Sequence, residues 1–130
     1  VTVEFEDVDS YGIVHHTKLV AYLERARVRF LTSLGLGLYP DALSIVLYGL
    51  DMRFKKPAFV RDVLLVSVSV GSCDDYRLRL RYRITRNGAL LVSATTGVAF
   101  MNASSHTIVP APADFVEALK QWDAPSEDIA

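Results

Sequence analysis

Residues 1–5, VTVEF, alternate apolar and polar, the pattern of a short half-buried strand. Further on, Leu19, Leu23, Ala26, Phe30 and Leu34 recur at steps of four, three, four and four, which lines one face of a helix over residues 17–34. Gly35 stops it. Val20, Tyr22, Val28 and Leu31 widen the apolar face, so this helix needs cover on more than one side. A loop around GLYPD (37–41) leads into four strands, at 43–54, 63–73, 76–86 and 89–102, a sheet block spanning 43–103. Asn87-Gly88 is a favoured two-residue hairpin turn, because both positions tolerate positive φ. Before it, Tyr76, Leu78, Leu80, Tyr82 and Ile84 alternate with Arg77, Arg79, Arg81 and Arg83, so one face packs and the other meets water or anions. Phe115, Val116 and Leu119 predict a short closing helix over 112–122, followed by a frayed tail at 123–130.

The order strand, long helix, four strands predicts an α+β domain: one antiparallel five-stranded sheet curled around one long helix, with a short C-terminal helix. A chain of 130 residues fits one such domain, 1–130, without internal repeats or linkers. One helix covers only part of a five-stranded sheet, so pairing with a second copy, as a homodimer or homotetramer, is expected to protect the edges.

Composition narrows the function classes. Apolar residues make up 51% and charged ones 22%, the balance of a soluble globular protein. A net charge of -1 argues against general attraction to nucleic acid, and the arginine row lacks interleaved aromatic rings for base stacking. No apolar run approaches the ~18 residues of a membrane span. The chain opens at Val1 rather than a methionine, which leaves room for a preceding leader. Cys73 is alone, which rules out an internal disulfide or a cysteine-built zinc cage and makes a reducing cytoplasm the expected compartment. No serine sits in a G-x-S-x-G setting, and no glycine-rich phosphate loop is present.

Chemistry concentrates in residues 6–16, EDVDSYGIVHH, where the first strand hands over to the helix. Asp9 could attack a carbonyl or deprotonate water, or could simply hold an Asx-type turn. Asp7, two residues earlier, would share its side if the strand persists; paired carboxylates could raise one pKa, and a hydrogen-bonded structural acid is the plainer reading. Gly12 allows a turn or a close backbone approach, and Ile13 and Val14 read as buried staples of the loop. His15 and His16 are adjacent where the helix begins, with no further metal ligands near them. Glu24 is a rival base, more simply read as a partner for a nearby arginine on the helix surface.

The run Asp7-Val-Asp9-Ser-Tyr-Gly12-Ile-Val14-His-His16, followed by Glu24-Arg-Ala-Arg27, resembles the D-x-D-x-x-G-x-V opening of the hotdog-fold acyl-CoA thioesterases of the 4-hydroxybenzoyl-CoA thioesterase type. Phe54-Lys-Lys-Pro57-Ala58-Phe-Val-Arg-Asp62 is similar to that family's strand and Pro-Ala loop, and Asn87-Gly88 with Ile108-Val-Pro110 to its final hairpin and exit. Leu19 stands where relatives commonly carry a tyrosine, and Asp74-Asp75 where some carry a basic cluster.

The resemblance implies a hotdog fold and metal-free, cofactor-free hydrolysis of an acyl-CoA or acyl carrier protein thioester to a carboxylic acid and a thiol. Asp9 matches the catalytic carboxylate, and the backbone N–H of His16 the donor to the thioester oxygen; unpaired amides and the helix dipole stabilise an oxyanion there without any particular side chain. Lys55, Lys56, Arg61 and Arg77 are the candidate holders of the coenzyme A phosphates, or else a solvated charged face. A hotdog hydratase would want a histidine five residues after the aspartate, where this chain has Val14. A non-catalytic acyl-binding or regulatory dimer on the same fold would not need Asp9.

Overall fold

The computed structural model describes residues 1–35 and 43–121. The loop at 37–41, the tail at 123–130 and residue 122, at the expected end of the closing helix, lie outside the described residues. The elements run in the order of a 3-10 turn (Phe5–Asp7), α1 (His16–Ser33), β1 (Leu43–Phe54), β2 (Leu65–Cys73), β3 (Arg77–Arg86), β4 (Ala89–Asn102), β5 (Thr107–Ile108) and α2 (Ala113–Lys120). The sheet is antiparallel, in the order β1-β4-β3-β2, and β5 folds back on the end of β4.

Two expectations change. The opening strand is absent: Thr2 makes a single bridge with Val63, and the chain then winds into the 3-10 turn. Its cause is local, since the Asp7 carboxylate accepts the Glu4 N–H at 3.1 Å and the Asp7 N–H reaches the Glu4 carbonyl at 3.0 Å, a closed turn competing with the ladder. The fifth strand is instead β5, whose two residues pair with Met101 and Asn102. The second strand starts at Leu65, later than the pattern suggested, because Arg61, at φ 71, turns the chain just before it.

The hairpin between β3 and β4 follows its sequence signature. Asn87 and Gly88 both adopt positive φ, 51 and 82, and Arg86 pairs with Ala89. On β3, Leu78, Leu80, Tyr82 and Ile84 are wholly buried against α1, whose Leu19, Tyr22, Leu23 and Leu31 join them in one core with Val98 and Phe100 of β4. α2 closes the end of this core through Phe115, edge-on to Phe100 at 6.0 Å. Inside it, the Tyr82 hydroxyl meets the Thr96 hydroxyl at 2.7 Å, and Arg27 of α1 reaches Tyr82 at 3.5 Å. Wrapping of the helix thus leaves a small polar seam between α1 and the sheet.

Candidate active site

The connection into α1 is a knotted turn rather than an extended linker. Val8 bridges Val14, the Asp9 N–H donates to the Ile13 carbonyl at 2.9 Å, and the Gly12 N–H donates to the Asp9 carbonyl at 3.0 Å. Gly12 sits at φ 78 with open space where a Cβ would stand, so backbone conformation alone demands glycine. Asp9 braces the turn from within, its Oδ1 accepting the N–H groups of Tyr11 at 2.8 Å and Ile13 at 3.1 Å. The Asx-type turn is therefore real. It fixes one carboxylate oxygen and leaves Oδ2 without a hydrogen-bond partner among the described residues, on a half-buried side chain.

Outer anchors hold this turn in place. Val14 is 5% exposed, and its N–H donates to the Ala58 carbonyl at 2.9 Å while Ile13 bridges Phe59. The turn at 57–62 is itself pinned by Asp62, which accepts the Phe59 N–H at 2.8 Å and pairs with Arg86. Arg86 also lies over the Phe59 ring at 5.8 Å. On the other flank, the His15 N–H donates to the Asp7 carbonyl at 3.0 Å.

Asp7 does not join Asp9. The 3-10 turn sends its side chain beneath α1, where Oδ2 accepts the Tyr22 hydroxyl at 2.9 Å and Oδ1 lies 3.8 Å from Lys18 Nζ. Burial opposes its charge, but the Glu4 N–H, the Tyr22 hydroxyl and the Lys18 and Arg25 charges outweigh it and hold the pKa below 3.8. Burial, and then Asp7, push the Tyr22 hydroxyl up to about 12. No raised carboxylate pKa arises at Asp7; it is a structural brace.

α1 starts at His16, with His15 as its N-cap and no side-chain cap. The carbonyl of His15 accepts from Lys18 at 3.0 Å and Leu19 at 3.3 Å, whereas the N–H groups of His16 and Thr17 have no protein acceptor among the described residues. Both histidine side chains are exposed, and no three His, Cys, Asp or Glu side chains come together among the described residues. Glu24 is exposed and forms no ion pair there.

The four basic candidates separate into two groups. Lys55 and Lys56 hang their N–H groups on the Leu91 carbonyl, at 2.8 and 3.2 Å, and Arg61 donates its own to Val3 at 2.8 Å, so these three surround the 57–62 turn beside the Asp9 loop. Arg77 lies at the opposite end of β3, about 30 Å away at the rise of a strand. Its side chain stacks on Tyr48 at 5.8 Å, over a cleft of about 280 Å³ that includes Asp74 and Arg79. A larger cleft of about 630 Å³ runs between α1 and β2, past Asp7, Tyr22, Arg25 and Phe30. Asp9 lines neither. Sequence reasoning did not find the Asp7–Tyr22 and Asp62–Arg86 links. Only the acid beside a Pro-Ala turn hinted at the second.

Comparison with known proteins converges on this architecture. The family model described as thioesterase-like superfamily matches residues 3–119. The acyl-CoA thioesterase YbgC of Haemophilus influenzae is 30% identical over 103 residues, covering 76% of each chain. A crystal structure of a hypothetical protein from Thermus thermophilus is 28% identical and superposes with a TM-score of 0.85 over 94% of this chain and 95% of that one. A Staphylococcus aureus protein determined in complex with CoA shares the fold at a TM-score of 0.88 with 20% identity, over 97% of this chain and 84% of that one. No helix among the described residues is long and apolar enough to cross a membrane.

Proposed function

The chain belongs to the thioesterase-like superfamily and is a thioester hydrolase; from that premise we propose that it cleaves acyl-CoA thioesters with Asp9 as the attacking or base-acting group and the His16 N–H as oxyanion donor. The observation that carries this reading is the division of labour within one carboxylate. Oδ1 is spent on the Tyr11 and Ile13 amides, which fixes the aim of an unoccupied Oδ2 seven residues before two unpaired helix-start amides.

Two routes use the same atoms. In one, Oδ2 bonds to the thioester carbon, the carbonyl electrons move onto oxygen beside the His16 N–H, and collapse expels the thiolate. Water then splits the acyl-aspartyl anhydride, giving the acid and restoring the carboxylate, while its proton ends on the thiol. In the other, Oδ2 removes a proton from water, the hydroxide adds to the carbon, and the departing thiolate takes that proton.

The site is completed by a second copy in this reading. Asp9 lines neither cleft of the single chain, and β1 pairs only with β4, leaving a twelve-residue edge unpartnered among the described residues. That edge exposes Val46, Leu47, Tyr48, Leu50 and Phe54, a surface that favours pairing with an identical strand. Lys55, Lys56 and Arg61 supply cations for the coenzyme A phosphates, and Arg77 would serve only a ligand held by the far end of the sheet. A hydratase is disfavoured, since Val14 is buried in the position such an enzyme gives to histidine.

Asp9→Asn tests the reading directly. Asparagine keeps an Oδ1 for the turn but removes the anion, so hydrolysis of a panel of acyl-CoA thioesters falls by about 10²- to 10⁴-fold while their binding survives. Undiminished turnover would refute Asp9 chemistry; binding without turnover in the wild-type chain would favour an acyl-binding dimer.

A further inference from the structure

One guanidinium between α1 and the sheet lacks a counter-charge. Arg27 is half-buried, its Nη1 reaches the Tyr82 hydroxyl at 3.5 Å, and its Nε is buried with no acceptor among the described residues. The Tyr82 hydroxyl is already matched by Thr96 at 2.7 Å. Arg27 takes part in no ion pair among the described residues, and Glu24, one turn back on α1, is exposed and forms none either. A half-buried charge in that state is costly, more so where a second copy covers the β1 edge, as proposed, and removes water.

The flank that Arg27 occupies looks onto apolar surface. Tyr22, Arg25, Ala26, Arg29 and Phe30 line the cleft on the β2 side of α1, and at about 100° per residue Arg27 stands on the other flank, towards β1. Leu50, Met52 and Phe54 of β1 lie opposite Thr96, Ala94 and Val92, which are buried in the core, so all six share the helix-side face of the sheet. Yet Leu50 is 43% exposed and Phe54 56%, because α1 lies over β2 and leaves this shelf bare. The row of Met52 continues through Ala94 to Tyr82, so Arg27 meets the sheet at the level of the shelf. Beyond Phe54 the chain turns through Pro57 to Ala58, whose carbonyl accepts the Val14 N–H at 2.9 Å, and Phe59 bridges Ile13. The shelf therefore ends beside the Asp9 turn.

We infer that Arg27 reads the far end of the acyl group, and that the preferred substrates carry a carboxylate there: mono-thioesters of linear dicarboxylic acids. From His16 to Arg27 the helix rises about 16 Å, and an arginine side chain leans back towards the helix start, which sets the guanidinium about 10 Å from the unpaired amides. A methylene chain of that length lies on Leu50, Met52 and Phe54, and its carboxylate gives the Arg27 Nε–H the acceptor it lacks. An acyl group ending in a methyl would leave the cation unpaired. The inference rests on the proposed function, which sets the thioester carbonyl at the Asp9 turn.

Suberyl-CoA and octanoyl-CoA, equal in chain length, differ only at that far end. Their kcat/KM values in the full chain should favour suberyl-CoA by about tenfold. Arg27→Gln should bring the ratio down to about one, while Arg29→Gln, an equal loss of charge on the other flank, keeps the preference. If Arg27→Gln does not fold by circular dichroism, Arg27→Lys keeps the charge without the planar fork and should still lose most of the preference. Calorimetric binding of both thioesters to Asp9→Asn makes the same comparison without turnover. Absence of a preference in the wild-type chain, or an equal loss in Glu24→Gln or Arg29→Gln, overturns the inference. A wild-type chain that cleaves octanoyl-CoA equally well leaves the proposed function standing and removes Arg27 from specificity. A chain that cleaves no thioester, yet as Asp9→Asn binds suberyl-CoA about tenfold more tightly than octanoyl-CoA, refutes the proposed function and leaves the role of Arg27 standing.

Discussion

The Tyr22 hydroxyl donates to Asp7 Oδ2 at 2.9 Å, joining the second turn of α1 to the 3-10 turn that feeds the Asp9 loop. Because the folded pKa of Asp7 lies below its usual value, its contribution is present above pH 4 and fades as acid protonates the native carboxylate. The pKa of Tyr22 is raised to about 12, so its contribution is whole below pH 10 and is lost as pH climbs from 10 towards 12. Tyr22→Phe should cost about 1.5–3 kcal/mol near neutrality. It should also flatten the loss of stability between pH 10 and 12; urea titrations at several pH values would reveal an unchanged alkaline limb if the link were unimportant.

Gly12 tests the turn itself. Alanine meets no neighbour there but must adopt φ 78, at a cost of about 1–2 kcal/mol. If the turn relaxes to escape that strain, Asp9 moves with it. Gly12→Ala is expected to lower kcat more than melting temperature would suggest, and an unaltered kcat would separate the turn from the chemistry.

Within the core, Tyr82→Phe removes the partner of the Thr96 hydroxyl and the acceptor nearest Arg27. Leaving buried polar groups unpaired should cost about 1–3 kcal/mol. The paired change Tyr82→Phe with Thr96→Val should recover part of this if the hydroxyl pair, rather than the ring volume, is responsible. Chemical denaturation of the three variants decides between them.

The β1 edge predicts association. Leu47→Lys with Leu50→Lys puts like charges where two strands would meet, and sedimentation should then show a monomer without hydrolytic activity. A fully active monomer would remove the second copy from the site.

Much of the fold could be read from periodicity, and the reasons differ by element. The long helix and the β3–β4 hairpin announce themselves because Leu19, Leu23 and Leu31 obey one period and Leu78 to Ile84 another, with Asn87-Gly88 between strands. The opening five residues misled because VTVEF alternates correctly, yet a side chain outside the run, Asp7, closes a competing turn. β5 has only two residues, too few to carry a period. The Asp9 turn was foreseen in kind, whereas the partners of Asp7 and Asp62 sit 15 and 24 residues away, on elements whose mutual placement a linear pattern does not encode.

The Val14 amide bonded to the Ala58 carbonyl makes a short mechanical linkage between two surface turns. That strut ties the Pro57-Ala58 bend to the turn that carries residue 9 without passing through the sheet. In the proposed reading, a coenzyme A held by Lys55 and Lys56 would lean on the same lever that aims the Asp9 carboxylate, so grasp and reactivity need not be tuned apart.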